Sequence, residues 1–253
     1  MMLSKDLLAV SLILILSKLG STQLLDNKCK PPLFSPRIVG GKKAERAPWM
    51  AILSLNGKNI CGGSLITNGS NVILGEYDTS TIWDGPTKKC GVKYVIIHPY
   101  YTKGLSNDIA LLKLDQSVQY TANIRPICIL LKPNQRSVID SMQSFILTGW
   151  GKTNADQQKR TTKLKQLSLR RYDQGCRNLK DTFCAYTPRQ SACYGDSGSP
   201  LGAHVRDHGI TFFAQFGIAS QVSSKTCEGF SYYTDVYYHA SWIYEVIRSY
   251  WYY

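Results

Sequence analysis

Gly195-Asp196-Ser197-Gly198-Ser199-Pro200 sets a serine between glycines. Glycine tolerates the backbone angles of a tight turn, and such a turn exposes the hydroxyl while aiming neighbouring N–H groups at one point. Three other stretches stand with it. Asn107-Asp108-Ile109-Ala110-Leu111-Leu112 places one acid at the head of an apolar strand. Arg37-Ile38-Val39-Gly40-Gly41 sets a basic residue before an apolar one, so a cut there frees an apolar N-terminus. Ser220 begins the stretch that leads to Cys227. A lone GDSG match is weak, but four segments in this order and at these separations decide the fold.

Around them run short strand-like stretches separated by Gly, Asn, Asp and Pro: Trp49 to Leu55, Gly63 to Thr67, Tyr94 to Ile97, Ile109 to Leu114, Phe145 to Thr148 and Ile210 to Ser220. Many short apolar runs with turn chemistry between them read as a β-sandwich or barrel. Trp242, Ile243, Val246, Ile247 and Tyr250 recur at three- and four-residue steps, the signature of an amphipathic helix. The pattern is all-β with a terminal helix.

With APWMAIL, CGGSLIT, LGEYD, HPYY, NDIALLKL, IRPICI, TGWG, CYGDSGSP and YYTDV added, the chain from about Ile38 onward resembles the chymotrypsin-like (trypsin-like) serine proteases of the secreted insect type. The resemblance implies two antiparallel β-barrels with the active site between them and a C-terminal helix. It implies activation by a protease cutting at Arg37–Ile38, after which the Ile38 amine pairs with Asp196. Ser197 would be the nucleophile, Asp108 the residue orienting its base, and the Gly195 and Ser197 N–H groups the oxyanion hole.

That chemistry needs a histidine. A serine hydroxyl is a poor nucleophile until a base takes its proton, and the same base must protonate the leaving amine. In the family it sits in a TAAHC segment shortly after CGGSLIT. Here Cys61 to Thr67 is followed by Asn68-Gly69-Ser70-Asn71-Val72-Ile73-Leu74 and at once by Gly75-Glu76-Tyr77-Asp78. The strand carrying the histidine and the loop behind it have no counterpart, so the first barrel is expected to be incomplete. Of the four histidines, His98 belongs to HPYY, His204 and His208 flank a loop after the nucleophile, and His239 heads the terminal helix. None is read as the base.

The resemblance also implies disulfides Cys29–Cys128, Cys176–Cys184 and Cys193–Cys227. Cys61 loses its partner with the histidine segment, and Cys90 has none in view. These two pair with each other, stay free or bond another chain; two free thiols is the reading taken. Ser191 stands where a trypsin-like pocket has an aspartate, Gln221-Val222 replaces Trp-Gly, and Ser231 replaces a wall glycine. The specificity pocket therefore reads as degenerate, the alternative being a changed specificity. Asn68-Gly69-Ser70 is a glycosylation sequon at the deletion point.

Lys5 and the apolar run Leu7 to Leu16 read as an export signal. The run is too short for a membrane helix, which takes about 20 residues. The expected division is a signal over 1–21, a propeptide over 22–37 and the protease-like domain over 38–253. Eight cysteines fit an oxidising compartment, and paired CxxC spacing for zinc is absent. No metal or cofactor is expected.

The net charge of +13, dense between Lys152 and Arg189, reads as a solvated basic face, with acidic glycans or anionic surfaces as further partners. Regularly spaced aromatics do not accompany it, which argues against nucleic acid. The resulting expectation is a secreted, inactive serine protease homologue that binds or regulates extracellular proteins in a proteolytic cascade. The alternative is an active endopeptidase whose working form contains the histidine segment.

Overall fold

The computed structural model describes residues 25–30, 47–55, 58–65, 72–102, 104–131, 135–153, 155–176, 179–188, 191–207 and 209–251, and the backbone of 12–14. Arg37, Ile38, Asn68 and His208 lie outside the described residues, as do nearly all of the expected signal and propeptide.

The first half of the chain forms one curved sheet. Its strands are β1 (Leu12–Leu14), β2 (Met50–Leu55), β3 (Lys58–Leu65), β4 (Val72–Leu74), β5 (Lys88–Cys90), β6 (Val92–Ile97) and β7 (Ala110–Leu114). They lie in the order β5-β4-β2-β3-β1-β7-β6. Gly91 alone separates β5 from β6, so one bent stretch of chain joins the two ends of the sheet. The interior is aliphatic, built from Ala51, Leu65, Val72, Leu74, Leu112, Leu114 and Ile124, with Cys90 among them.

The second half follows α1 (Arg136–Ser141) with β8 (Ser144–Gly149), β9 (Lys165–Arg171), β10 (Thr182–Tyr186), β11 (Pro200–Asp207), β12 (Ile210–Val222) and β13 (Phe230–Asp235). These six close into a barrel, β10-β13-β12-β11-β8-β9, sealed where Ala185 pairs with Arg171. Its interior is aromatic: Phe145, Phe183, Phe212, Phe216 and Tyr233 are all buried. β12 is buried from Phe212 through Ser220 because it has apolar neighbours on both faces. Phe212, Ala214 and Phe216 face the barrel, whereas Phe213 and Ile218 face the seam between the halves.

The C-terminal helix α2 (Ala240–Trp251) presents Ile243, Val246 and Ile247 to that seam, where they meet Ile109, Leu111 and Val236. It thereby backs the head of β7, the strand that carries Asp108. Disulfides join Cys29 to Cys128, Cys176 to Cys184 and Cys193 to Cys227. No helix among the described residues is long and apolar enough to cross a membrane.

Two antiparallel β-barrels and a terminal helix are the architecture the sequence implies, with the first barrel short of a strand. The gap lies between β3 and β7. It is spanned by β1, laid parallel to both, with Ile13 opposite Ser64 and Leu111. Sequence reading expected no strand at Leu12–Leu14. A short apolar run carries no periodicity that separates strand from helix or export signal, and only the neighbouring edges make it a strand.

Candidate active site

The Ser197 turn is built by its glycines. Gly195 has φ +101°, a conformation costly for any side chain. The turn is pinned by Asp196 N–H to Cys193 O (2.9 Å), Ser199 N–H to Asp196 O (2.8 Å) and Gly198 N–H to Ala219 O (2.7 Å). Ser197 is half-buried, and its carbonyl accepts from Gly62 N–H at 3.0 Å, which ties the turn to β3 of the first barrel. Among the described residues neither Gly195 N–H nor Ser197 N–H donates to a backbone carbonyl.

Asp108 stands at the head of β7, 2% exposed. Asn107, at φ +54°, turns the chain into the strand, and the Asp108 carbonyl accepts from Thr234 Oγ1 at 2.9 Å. Ser220 Oγ donates to Asp108 Oδ2 at 2.5 Å. Asp108 Oδ1 is buried and has no hydrogen-bond partner among the described residues. Burial lifts the Asp108 pKa to about 6, with Ser220 pulling it down and the Asp181 carboxylate pushing it up. A carboxylate that orients a base uses two faces, and here one face is idle.

The histidines do not fill that place. His98 and His239 pack ring to ring at 5.0 Å, and His98 also meets Trp242 at 4.7 Å. His239 faces Asp181, not Asp108. His204 is exposed on β11 with its ring edge-on to Phe213.

Asp196 is buried, accepting from Gly151 N–H at 2.9 Å and Cys193 N–H at 3.0 Å. A Cβ at Gly151 would lie 2.3 Å from its carboxylate, so only glycine admits the acid there. Burial raises the Asp196 pKa to about 6, while those two N–H groups and Arg160 pull it down. Beside it opens a cavity of about 250 Å³, lined by Leu147, Gly149, Gly151, Leu167 and Ser191.

In the candidate specificity pocket Ser191 is buried, its Oγ donating to Ala192 O at 3.0 Å. Ser231 Oγ accepts from Ala192 N–H at 3.1 Å, so the side chain in the glycine's place bonds one pocket wall to the other. Val222 pairs with Ser231 across β12 and β13.

The placement of two cations escaped sequence reading. Arg160 belongs to the stretch read as a solvated basic face, yet it is half-buried against the oxyanion-hole glycine. A Cβ at Gly195 would meet Arg160 Nε at 2.5 Å, and Arg160 Nη1 donates to Asn59 O at 2.9 Å. Arg171, in the same stretch, is also largely buried, bound to Asp173 Oδ1 at 2.7 Å. Arg160 comes inward on a loop and Arg171 at the end of β9, and composition carries no sign of either.

Cys61 and Cys90 are both free. Cys61 pairs with Leu53, Leu53 with Val72 and Val72 with Cys90. Three strand steps separate the thiols, roughly 14 Å along the sheet, whereas a disulfide needs Cα atoms within about 7 Å. Burial raises both thiol pKa values, Arg160 opposing it at Cys61 and Lys88 at Cys90.

Comparison with known proteins adds the following. Residues 38–243 match the family model described as Trypsin. The chain is 28% identical over 268 residues to Serine protease 7 of Drosophila melanogaster, covering 87% of this chain and 68% of that protein. It is 32% identical over 240 residues to Serine protease ea of the same fly, covering 74% of this chain and 61% of that protein. It thus spans less than two thirds of the second relative. In both alignments the matched stretch is longer than the part of this chain it covers, so both relatives carry residues with no counterpart here. Among solved structures, the Drosophila Grass clip serine protease of the Toll pathway matches with a TM-score of 0.72 at 26% identity, covering 88% of this chain and 76% of that one.

Proposed function

This chain belongs to the trypsin family of serine proteases, and on that premise we propose that it works as a non-catalytic member, binding or regulating partner proteins outside the cell. The observation that carries the reading is the buried, unpartnered Asp108 Oδ1. In a working triad the aspartate carboxylate holds the imidazole which deprotonates the serine. Loss of the histidine alone costs roughly a millionfold in kcat, about 8 kcal/mol of barrier. An oxyanion hole and a well-placed serine do not make up that difference.

The cavity beside Asp196 supports a retained activation switch. A buried acid with a raised pKa and an adjoining cavity suits an incoming ammonium, here the Ile38 amine released by a cut after Arg37. Cleavage would then reshape the surface without creating a protease. The likeness to a clip serine protease of the Toll pathway supports a cascade setting, and the Leu7 to Leu16 run supports export.

The test is fluorophosphonate labelling of protein cleaved at Arg37. Ser197 is expected to label no faster than the background of a Ser197→Ala variant, while partner binding changes on cleavage. Prompt labelling of Ser197 would overturn the inactive reading; unchanged binding would overturn the regulatory one. A second reading, an active endopeptidase, is favoured by the intact Ser197 turn and the Ser220–Asp108 bond, which a binding surface does not require. Transcripts carrying a histidine segment between Thr67 and Gly75 would establish it.

A further inference from the structure

We propose that the gap between β3 and β7 is a strand-acceptor site for an extended apolar segment of a partner protein. In this structure the site holds the chain's own Leu12–Leu14, which pairs Leu12, Ile13 and Leu14 with Ala110, Leu111 and Leu112, and Ile13 and Leu14 with Ser64 and Leu65. The seated segment is remote in sequence from both flanks and contributes only three residues. The site is therefore defined by its two edges and not by a connecting loop.

Those edges cannot stand open without cost. Ser64, Ala110, Leu111 and Leu112 are buried, and a buried backbone group without a partner costs about 1–3 kcal/mol; the backbone of Leu65 already bonds Trp49 O and Ile127 N–H, so on the β3 side the cost falls on Ser64. Two facing edges offer ladder bonds on both sides of one entering strand, twice what a single sheet edge gives an added strand. The flanks also dictate what enters. A residue opposite Leu65 and Leu112 stands on the face of the first-barrel interior, among Val72, Leu74 and Ile124. A residue opposite Leu111 stands on the seam face with Ile109, Ile218 and Ile243.

The first face is aliphatic, and the second is aliphatic apart from Ser64, whose hydroxyl is already spent on Gln215 Oε1 at 2.6 Å, so the fitting segment is extended, uncharged and rich in Leu, Ile or Val. The Leu7 to Leu16 run has this chemistry, and it also has the composition of an export signal. Once such a signal leaves, the site is free for a partner segment of the same kind. The site begins two residues beyond Asp108, so a partner seated there lies beside the candidate active site.

Hydrogen exchange on the whole chain tests this without reference to catalysis, so it stands or falls separately from the labelling of Ser197. In Ile13→Pro, which removes an N–H and bars the strand from the ladder, exchange in fragments spanning 62–65 and 110–112 is expected to rise at least tenfold. Fragments of the second barrel containing Phe145 and Phe216 should not change, which separates a local opening from failure to fold. A peptide of residues 7–16 with lysines added at its ends is expected to restore protection, and the same peptide with Ile13→Asp is not. Protein secreted without residues 1–21 is expected to start unprotected and gain protection from the peptide. Unchanged exchange in Ile13→Pro, or no effect of the peptide, would overturn the proposal. Protection regained by dimerisation of Ile13→Pro would overturn the assignment to a partner protein and make a second copy the occupant.

Discussion

The two barrels of this molecule have the same architecture and differ in how they close. The second closes through six strands that follow one another in the chain and packs five buried aromatic rings inside. The first stays an open sheet, held continuous between β3 and β7 by three residues from a remote part of the chain, around an aliphatic interior that includes an unpaired cysteine. Ser197, Gly195, Asp196 and the candidate pocket residues Ser191, Val222 and Ser231 all belong to the second half of the chain. Asp108 belongs to the first, and so, in the family, does the base. The second barrel completes its own hydrogen-bonded ring and each half has its own core, so a segment can go from the first and leave the second standing.

The strongest way to break this comparison is to restore the first barrel. Insertion of a family-type histidine strand and loop between Thr67 and Gly75, followed by cleavage at Arg37, is expected to raise fluorophosphonate reactivity of Ser197 by roughly 10⁴-fold, within the span a catalytic histidine commands. No rise in a folded, cleaved protein would mean the second barrel is damaged as well.

Core truncations come next. Phe145→Ala should cost about 4 kcal/mol and Leu74→Ala about 2–3 kcal/mol, read by urea melts. The sharper readout is locality. Leu74→Ala should loosen first-barrel amides while those around Phe216 keep their protection, and joint loss of both barrels would show one cooperative unit.

The buried acids set a pH dependence of similar size. Asp108 and Asp196 have folded pKa values of about 6 against an ordinary 3.8. Each binds its proton more tightly in the fold, so its contribution is fully present below pH 3.8 and is lost as pH rises through about 6, a loss of about 3 kcal/mol per group. Thermal melting of uncleaved protein should therefore occur at a higher temperature at pH 5 than at pH 7.5. Asp196→Asn should flatten the second barrel's share, and cleavage at Arg37 should do the same if the new amine pairs with Asp196. A melting temperature that climbs with pH over this range would contradict the assignment.

The smallest effect concerns the free thiols. Both Cys61 and Cys90 should react with an aromatic disulfide more slowly than a small thiol at pH 8, because burial holds each in the protonated form. Cys90, buried in the first-barrel core, should be the slower. Rapid reaction of Cys90 in folded protein would show that the first barrel opens on its own.

Much of this was legible in the sequence because its physics is local. Glycines around Ser197 dictate a turn whatever surrounds it, alternating and continuous apolar runs dictate strands, and the three- and four-residue spacing from Trp242 dictates a helix. Set beside the family pattern, the short path from Thr67 to Gly75 reads as one strand too few. The tertiary structure alone decided where long-range neighbours fall. It set Arg160 of a basic stretch against Gly195, held Cys61 three strand steps from Cys90, left Asp108 Oδ1 without a partner, and laid Leu12–Leu14 between two buried edges. None of these has a local signal, because each depends on which distant strands become adjacent, and that is settled by closing a sheet and burying its edges.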